Sequence, residues 1–382
     1  MRKVRTTLVA LSLLTVTAFG GMLAAGRDDE EGLYRALGNL AEVVHLIRTD
    51  YVDELNDEAL SLSLDAGIVE SVDRSAAVLP SAMAATYREL VVAPPAYGLV
   101  LGSRLGSAAV RQAIPGSPAA GASLQTWEVI ERVDGVNTRG RPLWQLRLEL
   151  RDKVAAGSEV ALTVVDRRVD QRREVVLAPA AWTPAAGSVE DVDGTAVVRL
   201  DSLPAGAADQ VRGLVPSDRP VVLDLRNLVW GLEEQAVAVA DLFVSDGVLG
   251  GWSGRKAGSQ TFAATAGSLP GRPPVVMIGP ETEGVGEILA AALQRAGLTL
   301  VGGRTVGHAP HMQFIEERDL TLWLPVGNWL RADGEPINGN GVEPDEAVEV
   351  VPEDEDHDQA EAGDPVLDRA LELAAQPLEP AA

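Results

Sequence analysis

Three short apolar runs constrain this chain more than any other feature: TAVVRL (195–200), PVVLDLRN (220–227) and PPVVMIG (273–279). A strand buried on both faces loses the apolar–polar alternation of a half-exposed one and reads as an almost continuous hydrophobic run. Helical stretches such as LEEQAVAVADLFV (232–244) lie between them. Strand–helix alternation of this kind predicts an α/β core, here over residues 181–348.

The rhythm upstream differs. VVAPPAYG (91–98) breaks a helical pattern and opens a β-rich segment with YGLVLGS (97–103), EVALTVVDRR (159–168) and REVVLAP (173–179). Several short strands around one helix near PLWQLRLEL (142–150) predict a compact, barrel-like module over 91–180. AAWTPAAGS (180–188) reads as the linker out of it. Residues 30–90 carry a helical pattern, with Leu33, Leu37, Leu40, Val44 and Ile47 on one face. Beyond the core, residues 349–382 are expected to form an acidic connector, EVVPEDEDHDQAEAGD, and a final helix, DPVLDRALELAA.

Arg2, Lys3 and Arg5 precede an uncharged run from Thr6 to Gly26. A run of ~20 apolar residues suffices to cross a bilayer, and basic residues before it stay on the cytoplasmic side. Residues 1–29 therefore read as a signal anchor or a cleaved signal peptide, with small residues near Ala18–Gly21 or Ala24–Ala25 as cleavage sites. Either reading exports the remainder to the periplasmic or extracytoplasmic face, and the anchor tethers it to the cytoplasmic membrane. A net charge of −24 argues against nucleic acid as a partner. The chain has no cysteine, so a thiolate metal site and a disulfide are both excluded. No cofactor or metal is expected: His308 and His311 lack a positioned carboxylate in the sequence and read as surface-loop residues.

Five ordered segments resemble the carboxy-terminal processing proteases, also called tail-specific proteases, which are serine enzymes with an embedded PDZ domain. IRTDYVDELNDEAL (47–60) is similar to a family helix ending in Y-V-D, and GSPAAGASLQTWEVIERVDGVNT (116–138) follows the PDZ pattern. Trp127–Glu128 stand where that pattern prefers Gly-Asp. VVLDLRNLVWGLEEQAVAVADLFVSDGVL (221–249), GNGVEPDEAVEV (339–350) and DPVLDRALELA (364–374) match the core motifs and terminal helix. The resemblance implies a helical N-terminal region, a PDZ-like module and a crotonase-like protease core.

The family's catalytic apparatus is altered where it matters. Laying GPETEGVGEIL (279–289) on the pattern N-x-G-S-A-S-A-S-E-[IL] puts Gly284 at the nucleophilic serine, and GGRTVGHAP (302–310) puts His308 at the general-base lysine. Gln313 lies one residue beyond the supporting glutamine. A Ser–Lys dyad needs a hydroxyl to attack and a neutral amine to take its proton; glycine has no side chain, and no lysine follows Lys256. Val229 and Trp230, before Gly231, replace the Pro and first Gly of the oxyanion motif, so Trp230 is expected to fill the space of a substrate carbonyl. A displaced Thr282–His308 pair is the enzymatic alternative.

The resemblance thus implies an inactive relative that binds protein or peptide C-termini, or an active protease, as scaffold or regulator. An active endopeptidase with a non-standard site and a structural envelope protein are the alternatives. For peptide binding, the loop Tyr97–Gly98–Leu99 is expected to donate N–H groups to a terminal carboxylate, with Leu143, Leu146 and Leu150 lining the groove.

Overall fold

The computed structural model describes residues 32, 34–52, 57–265, 269, 271–348 and 363–376. The proposed anchor or signal segment (1–29) and most of the acidic connector lie outside the described residues. By contact density the chain divides at Leu64/Asp65. The first unit contains a helix over 34–50 (α1), on which Leu37 and Ile47 are exposed. The second contains every element from Ala77 onward.

After α2 (Asp57–Val72), which spans the division, come β1 (Ala77–Pro80) and α3 (Ser81–Val92). The inserted module is built from β2 (Leu99–Arg104), β3 (Ser107–Ala113), α4 (Pro118–Gly121), β4 (Val129–Val133), β5 (Val136–Asn137), α5 (Leu143–Ala155), β6 (Val160–Asp166) and β7 (Gln171–Leu177). Its antiparallel sheet runs β2-β3-β4-β6-β7, so β2 is an edge strand. Ser117 caps α4 by accepting from the Ala120 N–H, with Pro118 at the first helical position. Helix α5 continues five residues beyond the segment expected from sequence, to Ala155, because Arg151, Asp152, Lys153 and Val154 are all tolerant of helical backbone.

The core follows with β8 (Gly187–Val192), β9 (Thr195–Leu200), α6 (Ala207–Leu214), β10 (Val221–Asp224), α7 (Glu233–Asp241), β11 (Val248–Gly254), β12 (Gly258–Ala263), β13 (Val275–Ile278), α8 (Val285–Arg295) and β14 (Leu300–Gly302). Then come β15 (Pro310–Glu317), β16 (Leu320–Trp329), β17 (Glu346–Ala347) and α9 (Pro365–Ala375). One sheet has the order β17-β14-β13-β10-β9-β8 and is parallel apart from the β8–β9 pair. Its strands bury both faces, which explains their unbroken apolar runs. Val198, Leu223, Val276 and Leu300 pack toward α7 and α8, while Val197, Val222, Met277 and Val301 pack against Val366, Ala370 and Ala374 of α9. Asp364 caps α9 and also pairs with Arg226, which is held by Asp224 at the end of β10. The second core sheet joins β1, β16, β11 and β12, with β15 on the other edge of β16.

Several expectations for the module need correction. Leu146 and Leu150 are 1% and 2% exposed and belong to the module's core beside Leu162 and Leu177. On α5 the face shared by 146 and 150 turns inward, so it is Leu143 and Arg147, one turn apart, that face the cleft described below. Tyr97 is likewise buried, its hydroxyl donating to the Ser158 carbonyl at 2.7 Å. The N–H groups of Gly98 and Leu99 are spent locally, on the carbonyls of Pro95 and Ala96, so the loop does not hold them out for a carboxylate. Gly98 itself is required: its φ is +71°, and a Cβ would lie 2.1 Å from that of Ser117.

Candidate functional site

The loop after β13 and the loop before β15 meet at the start of α8. What fixes their spacing is Glu287, fully buried in the first turn of α8. Its carboxylate accepts from the N–H groups of Gly284 (3.2 Å), Gly307 (2.6 Å) and His308 (2.8 Å), and from the Thr305 hydroxyl. Burial raises its pKa, and these donors oppose the rise. A buried carboxylate with four donors is well satisfied, and it clamps positions 284 and 308 together without help from either side chain.

Position 284 lies at φ +59°, ψ −114°, a region that a side chain occupies only under strain, and a Cβ there would sit 3.3 Å from the Val229 carbonyl oxygen. The Gly284 N–H also donates to the His308 carbonyl at 3.2 Å, so it is not aimed at a cleft where an oxyanion would form. Val229 and Gly231 line that cleft. Trp230 does not: it is half-buried, and its carbonyl accepts from the Leu203 N–H, so the expected plug is not formed by its indole. Thr282 is fully buried, accepting from the Gly279 N–H and donating to the Leu225 carbonyl, both at 3.0 Å. Its hydroxyl supports the loop and makes no pair with His308.

His308 is not a surface-loop residue. Its Nδ1 lies 3.1 Å from Glu283 Oε1, and its Nε2 lies 3.2 Å from Asp73 Oδ1 and 3.5 Å from Ser75 Oγ. Burial disfavours the imidazolium, but the hydrogen bonds to Asp73 and Glu283 outweigh it and raise the pKa above 6.5. Glu283 is pushed the other way, to about 2, because His308, Arg111 and Arg74 together overcome its burial. Asp73 is lowered as well, against its burial, mainly by His308.

The ion pairs continue into the module. Arg111 of β3, 4% exposed, pairs through Nε with Glu283 and through Nη1 with Glu281 at 2.7 Å, and its Nη2 donates to the Glu281 carbonyl. Arg74 pairs with Glu283 at 2.7 Å. Trp127 donates its indole N–H to the Glu281 carboxylate at 3.1 Å, and its ring lies under the Arg111 guanidinium at 4.8 Å. Trp127 has φ +67°, which accounts for the glycine preferred there; here the indole's contacts offset the backbone cost. Sequence reasoning missed Asp73, Arg74, Arg111 and the role of Trp127, because partners 154 to 235 positions apart leave no local spacing to read.

Gln313 lies too far along β15 to support His308, and instead places Nε2 3.3 Å from His311 Nε2. His311 is a strand residue, stacked on Trp252 at 4.1 Å with Nδ1 2.8 Å from Glu233.

A cleft of about 250 Å³ opens over this cluster, walled on the module side by β2 and α5 and on the core side by Val229, Gly284, Val285, Ile288 and Met312. The sequence profile of peptidase family S41 matches residues 195–348. A carboxyl-terminal-processing protease of Picosynechococcus sp. is 30% identical over 251 residues, 63% of this chain and 60% of its own length. The carboxy-terminal processing protease of Bacillus subtilis is 24% identical over 360 residues, 90% of this chain and 76% of its own. Among solved structures, the photosystem II D1 C-terminal processing protease superposes with a TM-score of 0.62 at 20% identity, covering 81% of this chain and 86% of that one. The core of the chain thus carries the peptidase family S41 profile, and over most of its length the chain is similar to carboxy-terminal processing proteases.

Proposed function

We propose that this chain is a proteolytically inactive member of the family, exported to the extracytoplasmic face, whose PDZ-like module binds protein or peptide C-termini as a scaffold or regulator. The observation that carries the reading is the state of the dyad positions. Gly284 offers no nucleophile, and both ring nitrogens of His308 lie against carboxylates that raise its pKa, which disfavours the free imidazole that a base must be. The position of β2 as an edge strand along the cleft supports strand addition by an extended peptide. The apolar run behind Arg2, Lys3 and Arg5 supports export. The purified full-length protein should leave an unfolded protein with an apolar C-terminus uncut; turnover that disappears in His308→Ala would sink the proposal.

One observation favours the active alternative: Ser75, His308 and Glu283 stand in the order nucleophile, base and orienting acid. Asp73, closer to Nε2 than Ser75 is, occupies the ring nitrogen that the serine would need. The inactive reading is therefore the better one.

A further inference from the structure

The cleft holds an ionic imbalance that its shape alone does not show. Glu283 is matched by Arg74, Arg111 and His308. Glu233 is matched by His311. Among the described residues, Arg147 is the charged side chain lining the cleft with no partner of opposite sign. Its guanidinium donates to two neutral oxygens, the Leu101 carbonyl at 3.2 Å and the Tyr87 hydroxyl at 3.4 Å.

These two contacts hold Arg147 against the outer edge of β2, leaving other N–H groups of its five-donor fork unspent. The loop expected to take a carboxylate cannot do so with the Gly98 and Leu99 N–H groups, both already donated. Val100, Leu143, Ile288 and Met312 give the surrounding wall an apolar character suited to side chains next to the charge. A planar fork beside an open strand edge suits a carboxylate carried on an extended backbone.

We propose that Arg147 is the anion-recognising residue of this cleft, taking a carboxylate of an extended peptide laid along β2. This rests on the peptide-binding reading above and moves the carboxylate site from the Tyr97–Gly98–Leu99 loop to α5. The carboxylate has two sources, the chain terminus or an acidic side chain, and the test separates them.

Three fluorescein-labelled decapeptides ending in Val-Ala-Leu would be titrated against the full-length protein: the free acid, its C-terminal amide, and the amide with Glu third from the end. Binding of the free acid should exceed that of the plain amide by about tenfold or more, the usual scale for a charge-assisted hydrogen bond. Arg147→Gln should erase that difference without weakening the plain amide, and Arg147→Lys should keep part of it. Rescue of the amide by the internal Glu would assign the site to acidic side chains as well as termini. Thermal melts of both variants verify that the fold is retained. If Arg147→Gln leaves the free-acid preference intact, the assignment to Arg147 is wrong while peptide binding stands. If none of the three binds at millimolar concentration, the peptide-binding reading itself fails.

Discussion

His308 Nδ1 and Glu283 Oε1 lie 3.1 Å apart, and this contact makes His308 one link of a chain of charged and polar contacts. From Asp73 through His308, Glu283 and Arg111 to Glu281 and Trp127, the chain joins the segment after α2, the core loop and the inserted module. Both ring nitrogens of His308 are thereby directed at carboxylates, and burial and pairing restrain the ring.

The pH dependence of stability follows from these shifts. Glu283 is depressed from 4.5 to about 2, so its contribution is present above 4.5 and is lost as pH falls through the folded value. Asp73, lowered from 3.8, acts in the same direction. His308 is raised above 6.5, so its contribution is complete below 6.5 and disappears as pH rises through the folded value. Urea midpoints of wild type and His308→Gln, measured across pH, should differ most between about 4.5 and 6.5 and converge on the alkaline side. A difference that grows with rising pH would contradict the paired imidazolium.

Arg111 is the costliest member to remove. It is almost completely buried and faces two carboxylates, so Arg111→Ala leaves Glu283 in a low-dielectric setting with fewer partners. Breaking a buried pair from one side destabilises by about 3–5 kcal/mol. Denaturant unfolding monitored by tryptophan fluorescence should read a loss of that order. An effect near zero would mean that water reaches the cluster freely.

Placing a serine at 284 and a lysine at 308 should not produce catalysis. Gly284→Ser introduces a Cβ 3.3 Å from the Val229 oxygen at a backbone conformation that disfavours it, at a cost of about 1–3 kcal/mol. His308→Lys places an ammonium between Asp73 and Glu283, where two carboxylates hold its proton on. The double variant is expected to be less stable than wild type and to cleave an unfolded protein no faster than background. Robust turnover would show that the cleft retains working oxyanion donors.

Much of the fold was legible because its signals are local. The doubly buried strands β9, β10 and β13 announced themselves as apolar runs, and Asp364-Pro365 marked the start of α9. That position 284 carries glycine was equally readable, since it needs one aligned position. The groove was misread because Leu143, Leu146 and Leu150 share helical spacing while α5 is contacted on two sides, and spacing does not say which side is core. Trp230 was misjudged for a related reason. Its neighbours in the chain line the cleft, but its carbonyl is pinned to Leu203 and its indole lies outside the cleft lining.

Glu287 has a consequence for how such a chain changes over time. Because its carboxylate gathers the backbone N–H groups of Gly284, Gly307 and His308, the frame of the site is specified by main chain and one acid. The facing residues at 284 and 308 are then cargo on a rigid mount, replaceable without dismantling what carries them. Chemistry can drift away from such a mount in one or two substitutions, while the geometry persists for whatever use the surface next acquires.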